Sequence, residues 1–251
     1  MKSHKMFFLG GYDLEMLTIK EILEGRRDCA IADKHLRWDN ALLSTYEKEL
    51  YGNPRFQIYG IELNEDIIAP ENYHSIDHHN KRNDMPSSLE QVAEVLGVEL
   101  THYQKLVAAN DKGYIPAMTT LGASKEEIDD IRRKDRIAQG VTAEDEMLAE
   151  KAIDENIHIY KGIIIVKAFT SHFSTICDRL FPYRRLLIYT DSEWVFYGEG
   201  KAELVSMLSE DIESRKVYHG GGSTGYIGAA RGAFPTKEIY QFINLIKQRY
   251  E

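Results

Sequence analysis

The sequence predicts an α/β fold, with a doubly wound and mostly parallel sheet in a first domain and a smaller α/β domain after it. Three observations carry this prediction. Short apolar segments alternate with segments of helical spacing, which is the pattern of strand–helix–strand units. Acidic residues and histidines follow the apolar segments, as expected where ligands bind at the carboxyl ends of parallel strands. A second alternating unit begins after a highly charged stretch.

The first domain, residues 1–122, alternates strands with helices. Lys5 to Leu9 is a short apolar segment that predicts a buried strand, and apolar residues then recur at helical spacing from Leu14 to Leu23. Further strands are predicted at 28–32, 56–63 and 73–76, and further helices at 38–50, 86–96 and 101–109. The last helix leads into Asn110-Asp111-Lys112-Gly113, where a tight turn or a positive φ is expected at the glycine.

Residues 123–156 are highly charged and rich in helix-forming residues, which favours a solvated helical connector. The smaller domain, residues 157–251, follows it. Its pattern predicts strands at 162–168 and 185–190, a hairpin partner at 193–198, and helices at 203–212 and 237–248. A glycine-rich segment from His219 to Gly225 separates the two helices.

The composition is that of an ordinary soluble globular protein, with 251 residues, 43% hydrophobic and 28% charged. A formal net charge of −9 argues against binding long nucleic acids but leaves room for a short anionic substrate. Two distant cysteines without a CxxC pattern indicate a reducing cytoplasm. The longest apolar run, residues 162–166, is too short to span a bilayer, so no membrane partner is expected.

Asp77-His78-His79 is the most informative motif, because two adjacent imidazoles follow a predicted strand. Where a strand gives way to a loop, both rings can bend toward one point. Two imidazoles with nearby carboxylates suit Mn, Fe, Zn or Co. A lone His-His pair is more often a surface feature, but further acidic residues are predicted at strand ends here: Asp13, Glu15, Glu62 and Asp111. The sequence therefore predicts a metal site.

These motifs resemble those of the DHH phosphoesterase superfamily, over nearly the whole chain. The resemblance rests on Asp13-Leu14-Glu15, Asp77-His78-His79-Asn80, Asn110-Asp111-Lys112-Gly113 and Gly220-Gly221-Gly222. It implies a catalytic domain, a smaller DHH-associated domain and two divalent metals, usually Mn²⁺, with Mg²⁺ or Co²⁺ as alternatives. It also implies hydrolysis of phosphodiester or phosphoanhydride bonds. The oligomeric state stays open, with a homodimer as one option.

The resemblance assigns roles to particular residues. The implied metal ligands are Asp13, Glu15, Glu62, His78, His79 and Asp111. The implied catalytic residues are Asp77, His78 and Asp111, with Asp77 orienting an imidazole. Asp33, beside His35, is a rival for the place of Glu62, and Asp13 would also suit a helix cap. The chain departs from the family pattern at Leu9, where a His is usual, and at Glu15, where an Asp is usual.

The glycine run resembles the substrate clamp of the DHH-associated domain. Backbone N–H groups without side chains can approach phosphate oxygens closely. The implied substrate-binding residues are Gly220, Gly221, Gly222, Ser223 and Arg231, with Tyr226 available to stack on a base. A surface loop without a ligand is the alternative interpretation.

The resemblance thus implies a metal-dependent hydrolase that uses a metal-activated water on short oligonucleotides or cyclic or linear dinucleotides. One alternative is a pyrophosphatase-like enzyme, although its clamp would need more cations than Arg231. Another is a non-catalytic regulatory or binding protein that keeps the fold, which the departures at Leu9 and Glu15 favour.

Overall fold

The computed structural model describes residues 4–38, 40–79, 82, 84–221 and 224–250. The chain divides into two compact units, Met1–Gly140 and Val141–Glu251. This boundary falls inside the charged segment 123–156, so α5 (Lys125–Ala138) belongs to the first unit and α6 (Ala143–Asn156) to the second.

The first unit is built on a parallel sheet whose carboxyl ends share one edge. Its strands are β1 (Lys5–Leu9), β2 (Cys29–Ala32), β3 (Gln57–Ile61) and β4 (Tyr73–Ile76). They lie in the order β2-β1-β3-β4, and every neighbouring pair is parallel. The predicted α/β class, with a parallel sheet first and a second α/β unit after it, is confirmed.

Helices surround this sheet because both of its faces are apolar. They are α1 (Leu14–Glu24), α2 (Glu47–Gly52), α3 (Ser88–Leu96), α4 (His102–Thr120) and α5. Phe7 and Phe8 are both fully buried, since adjacent strand residues face opposite sides of the sheet. Phe8 stacks on Tyr46 with ring centroids 4.7 Å apart. Helix α1 packs against α3, α4 and α5.

The helix predicted over 38–50 is wrong in its first part and confirmed from residue 47 onward, where α2 begins. The structure has a 3-10 turn at Leu43–Tyr46 that leads directly into α2. The backbone before this turn is bound elsewhere: Leu43 donates to the carbonyl of Asn64 at 2.9 Å, and Asn64 donates to Ala41 at 2.8 Å. Because residues 41–43 pair with the segment after β3, they cannot close helical hydrogen bonds.

Helix α4 also differs from its prediction. It runs beyond the expected end at residue 109 to Thr120, with an interruption at Gly113 (φ −152°) and Tyr114 (φ 59°). Asp111 therefore lies on a helix and not at a strand end, and the positive φ belongs to Tyr114 instead of Gly113. Pro116 has no N–H to donate to the preceding turn, which explains a kink at this place.

The second unit holds a six-stranded sheet of mainly antiparallel neighbours. Its strands are β5 (Ile157–Tyr160), β6 (Ile163–Lys167), β7 (Arg185–Tyr189), β8 (Trp194–Gly198), β9 (Val217–Gly220) and β10 (Tyr226–Ala229). The order is β5-β6-β7-β8-β10-β9, and only β6 and β7 are parallel among these described pairs. The sequence did not predict β5, β9 or β10.

Further helices complete this unit: α7 (Ser174–Leu180), α8 (Lys201–Met207), α9 (Ser209–Glu213) and α10 (Thr236–Arg249). The predicted helix over 203–212 is therefore two short helices. Ile239, Ile243 and Ile246 of α10 are buried in one core with Leu187 and Phe196 of the sheet. Among the described residues, no helix is both long and apolar enough to cross a membrane.

Candidate metal centre

Acidic and histidine side chains converge at the carboxyl edge of the first sheet. Ligand atoms of Glu62, His78, His79 and Asp111 all lie within 4.8 Å of one another. Glu62 follows β3 directly, the histidines follow β4, and Asp111 comes from α4. The parallel sheet supplies most of this arrangement because its strands end at a common edge.

His78 is the centre of the cluster and is only 6% exposed. Its Nε2 lies 2.5 Å from Asp111 Oδ2, 3.4 Å from Glu62 Oε1 and 3.6 Å from Glu15 Oε2. Even so, no described residue makes a hydrogen bond of acceptable geometry to His78 Nε2, Asp111 Oδ2 or Glu15 Oε2, and all three atoms are buried. Buried polar atoms without partners are costly, and one cation would satisfy all three. The donor set therefore fits a divalent metal.

Glu62 is held in place through its backbone and its carboxylate. Its φ is 53°, and its N–H donates to the carbonyl of Ile76 at 2.8 Å. Ser88 donates from its hydroxyl to Glu62 Oε1 at 2.7 Å. A Cβ on Gly10 would lie 2.3 Å from the carbonyl oxygen of Ile61 and 2.5 Å from that of Glu62. Only glycine therefore lets the end of β1 pass this close to the end of β3.

Helix N-termini fix the acidic residues near β1. Asp13 caps α1 by accepting from the Met16 N–H at 2.8 Å. Glu15 Oε1 accepts from the Leu89 N–H at 3.0 Å, at the start of α3. The positive end of the α3 dipole thus faces the cluster's negative charge. Sequence reasoning missed Ser88 and Leu89, although the capping box of Ser87 and Glu90 marks this helix start.

The crowding of carboxylates in a buried place changes their acidity. Burial, reinforced by the charges of Asp111 and Glu62, raises the pKa of Asp13 well above its ordinary value. Burial and Asp111 raise the pKa of Glu15 to about 8. For His78, burial alone would lower the pKa, but the carboxylates of Asp111, Glu15 and Glu62 outweigh it and raise the pKa to about 12. The site thus holds positive charge strongly, as a metal site must.

Asp77 acts on His79 and not on His78. Its Oδ1 accepts from the His79 backbone N–H at 2.9 Å and lies 3.0 Å from His79 Nδ1. Burial raises the pKa of Asp77, but these hydrogen bonds from His79 outweigh it and lower the pKa. The ring of His79 lies 4.2 Å from that of His78, centroid to centroid. Asp77 therefore fixes the orientation of the more exposed imidazole.

The rival residues are placed elsewhere. Asp33 forms an ion pair with Lys20 at 2.8 Å, and the side chain of His35 is 68% exposed. Neither belongs to the four-residue cluster found among the described residues. Leu9 is buried, and its carbonyl accepts from the Tyr46 hydroxyl at 2.7 Å, so this position contributes no side-chain ligand.

A buried ionic network behind the cluster was missed from the sequence. Arg132 Nη1 donates to Asn110 Oδ1 at 2.9 Å and to Asp135 Oδ2 at 2.7 Å. Asp135 Oδ1 in turn accepts from the Leu14 N–H at 3.3 Å. These contacts join α5 to the residues next to Asp111 and Asp13. The charged segment 123–156 is thus not solvated on every side, and the i,i+3 pair of Arg132 and Asp135 was the available signal.

The first two glycines of the run lie where β9 ends, on the way to its antiparallel partner β10. Gly220 ends β9, and Gly221 has a φ of 71°, a conformation that suits glycine. Lys201, which the sequence reasoning overlooked, donates from Nζ to the Gly220 carbonyl at 2.5 Å. Gly222 and Ser223, like Asn80 of the histidine motif, lie outside the described residues. Arg231 follows the opposite end of β10, so the structure does not bring it to this turn.

Comparisons with known proteins bear on the fold. No family model and no curated protein matches the sequence. A pGpG-specific phosphodiesterase from Vibrio cholerae matches with a TM-score of 0.51 and 12% identity, over 99% of this chain and 99% of that chain. The DHH domain of a protein described as a member of a family of ribosomal proteins matches with a TM-score of 0.52 and 12% identity, over 98% of this chain and 87% of that chain. This chain has a DHH-type fold.

The resemblance predicted from the motifs is therefore confirmed at the level of the fold. RecJ from Thermus thermophilus, in complex with Mn²⁺, matches with a TM-score of 0.49 and 10% identity, over 99% of this chain and 52% of that chain. Within this DHH-type fold, the two motif histidines belong to the one described cluster of metal-ligating side chains.

Proposed function

We propose that this chain is a divalent-metal-dependent phosphodiesterase that cleaves short oligonucleotides or cyclic or linear dinucleotides with a metal-activated water. The observation that carries the proposal is the convergence of Glu62, His78, His79 and Asp111 within 4.8 Å. Imidazoles and carboxylates in this combination suit Mn²⁺, with Co²⁺ or Mg²⁺ as alternatives. Asp13 and Glu15, buried beside the cluster, supply carboxylates for a second ion.

A bound divalent ion supplies a Lewis acid and a water of lowered pKa at this site. The side chains of the site balance charge and fix the orientation of the ligands. The carboxylates of Asp13, Glu62 and Asp111 offset positive charge, and Asp77 holds the imidazole of His79. Donation from Ser88 leaves the Glu62 carboxylate little freedom to rotate. Such preorganisation reduces the reorganisation needed during reaction.

A short nucleotide substrate is favoured over a long polyanion. The net charge of −9 opposes broad association with a nucleic acid. A protein of similar fold is described as a pGpG-specific phosphodiesterase, which supports a dinucleotide as the substrate class. Gly220, Gly221, Gly222 and Ser223 are proposed to present N–H groups to a phosphate. Lys201 donates to the Gly220 carbonyl beside them. The absence of a disulfide between Cys29 and Cys177 suits a cytoplasmic location.

A substrate screen tests the proposal. Purified protein is incubated with Mn²⁺, Mg²⁺ or Co²⁺ and with linear dinucleotides, cyclic dinucleotides, short oligonucleotides or pyrophosphate. We expect Mn²⁺-dependent release of mononucleotides and no release when the metal is chelated. Hydrolysis of pyrophosphate alone would replace the proposal with the phosphoanhydride alternative.

A second candidate, a binding protein without activity, is favoured by one observation. Leu9 provides no side-chain ligand where the family pattern has a histidine, and its carbonyl is already bound by Tyr46. Saturable binding of dinucleotide without turnover, in protein shown to contain metal, would favour this candidate over the enzyme.

A further inference from the structure

An exposed tryptophan flanks the candidate metal centre. Trp38 is 48% exposed, which is unusual for a side chain of this size and apolar character. Its ring makes an edge contact with the imidazole of His79, with centroids 5.3 Å apart and planes inclined at 65°. No residue of the cluster needs Trp38 for its own position, since Asp77 already orients His79.

The indole rests with one face on the backbone. A Cβ on Gly11 would lie 2.5 to 2.6 Å from three adjacent ring atoms of Trp38, Cδ2, Cε2 and Cζ2. These three atoms belong to the six-membered ring and are nearly equidistant from the added Cβ, so that position lies over the face of the ring and not at its edge. A planar ring supported on one face and about half exposed presents its other face to solvent. Glycine at position 11 is what permits this placement.

The loop that carries Trp38 is held at several points. Asp33 Oδ1 accepts from the His35 N–H at 2.8 Å, and Asn40 Oδ1 accepts from the Arg37 N–H at 2.7 Å. The Tyr46 hydroxyl accepts from the Lys34 N–H at 3.1 Å and donates to the Leu9 carbonyl. The loop follows β2, so it leaves the sheet at the edge where the cluster lies. The backbone that leads to Trp38 is therefore hydrogen-bonded at Lys34, His35 and Arg37.

We propose that the open face of Trp38 stacks on a nucleobase of the substrate, next to the phosphate that the metal centre binds. The inference rests on the proposed function and gives it a base-dependent subsite. An indole beside a phosphate-binding site is suited to any base, because every base has a π-face. Stacking on an aromatic side chain raises affinity on the order of ten-fold or more. Stacking on Trp38 would make the site bind nucleotides more tightly than pyrophosphate or base-free phosphate esters.

Fluorescence gives a direct test because the chain has only two tryptophans. The other, Trp194, is 2% exposed and stacked on Phe242 at 3.6 Å in the second unit. AMP, with ribose 5-phosphate as the matched base-free compound, is titrated into the full chain in Mg²⁺. We expect AMP to quench the emission saturably and ribose 5-phosphate to leave it unchanged. In Trp38→Phe the remaining emission should not respond to AMP.

Binding constants from calorimetry complete the test. Trp38→Ala should weaken AMP on the order of ten-fold or more, while Trp38→Tyr should keep most of the affinity. Tyr51→Ala is the matched control, since Tyr51 is also exposed, at 52%, in the same unit, and should bind AMP normally. Equal AMP affinity in Trp38→Ala and the native chain, equal affinity for AMP and ribose 5-phosphate, or no binding of AMP would each overturn the inference.

The two proposals fail in different ways. If no phosphodiester is cleaved with any metal but AMP still quenches Trp38, the stacking subsite stands and the hydrolase is refuted. If dinucleotides are cleaved with unchanged KM in Trp38→Ala, the hydrolase stands and the subsite is refuted. Metal content measured on each variant verifies that the mutation has left the metal centre intact.

Discussion

The charge of the His78 imidazole depends on the carboxylates that surround it. It is buried, three carboxylates lie within 3.6 Å of its Nε2, and no described residue gives that atom a proper hydrogen bond. In water such a ring would be half charged near pH 6.5. Here it requires a positive charge close by, either its own proton or a metal ion.

Replacing His78 with Ala, or Asp111 with Asn, should remove Mn²⁺ binding. Substituting a residue that only supports a metal ligand typically lowers metal affinity about 10- to 100-fold. Substituting a direct ligand should lower it at least as much. Calorimetric titration with Mn²⁺ measures the effect. His74→Ala is the control, because His74 is exposed on β4 and bonds to Gln57 instead. Unchanged Mn²⁺ affinity in both site variants would show that these residues are structural.

The pH dependence of metal-free stability should follow Glu15. Its pKa rises from 4.5 in the unfolded chain to about 8 in the folded one, so folding retains a proton that unfolding releases. The contribution of Glu15 to the free energy of unfolding is complete below the pKa of the unfolded chain. It is lost as the pH rises through the pKa of the folded protein. Thermal unfolding of metal-free protein should therefore show falling stability from about pH 5 to pH 8.

Mn²⁺ affinity should rise over the same interval, since a ligating carboxylate must lose its proton. Glu15→Gln should make both profiles less steep because the amide does not titrate, while Asp13, whose pKa is also raised, still does. A pH profile identical to that of the native chain would assign the effect to other residues.

The limits of sequence reasoning at this scale are physical. The two histidines and Glu62 could be found because their residue types follow apolar strands directly. Ser88 and Arg132 could not be assigned, because a serine at a helix start and an arginine in a charged helix have ordinary local explanations. Their contacts to Glu62 and Asp135 depend on packing between distant segments.

At the scale of the elements, strand ends and helix starts meet at one edge. The parallel strands β1, β2 and β3 were predictable from their short, mostly apolar runs. The continuation of α4 through Asp111 was not, because Gly113 and Pro116 usually indicate the end of a helix. The glycine does interrupt the helix, since non-helical backbone at Gly113 and Tyr114 makes a kink there. A second helical segment follows the kink, and α4 packs against α1 and α5.

Helix α5 should stabilise the first unit through Arg132. Arg132→Ala would leave the buried carboxylate of Asp135 without its ion pair, which typically costs about 3–5 kcal/mol. Arg133→Ala, one residue along the same helix, breaks only an exposed pair with Asp130 and should cost about 0–1 kcal/mol. Chemical denaturation of both variants measures the difference. Equal losses would show that the buried network contributes no more than a surface pair.

For the whole molecule, the relevant fact is that the proposed metal centre and the proposed phosphate clamp belong to different units. All candidate ligands lie in Met1–Gly140, and the glycine turn lies in Val141–Glu251. Each unit has a hydrophobic core of its own. The strands β9 and β10, of four residues each, were not predicted because the glycines between them indicate a loop. The sequence therefore placed the glycine run in a loop and could not show that Gly220 and Gly221 belong to a hairpin.

Gly221→Val separates metal binding from substrate binding. Gly221 has a φ of 71°, so valine strains the turn and blocks access to its N–H groups. The control is Gly162→Val, because Gly162 has a φ of 83° and lies in the turn joining β5 to β6 of the same sheet. Both variants should keep native Mn²⁺ affinity. Gly221→Val should lose more stability, because a Cβ at Gly221 would lie 3.0 Å from Gly225 Cα, whereas a Cβ at Gly162 would meet open space.

Only Gly221→Val should raise the KM for a dinucleotide, because only that turn is proposed to bind phosphate. Steady-state kinetics and Mn²⁺ titration on the same samples provide the comparison. If KM rises equally in both variants, strain in the sheet is the cause and the clamp is refuted. If KM changes in neither, the glycines serve the hairpin alone, since the positive φ at Gly221 already accounts for a glycine at that position.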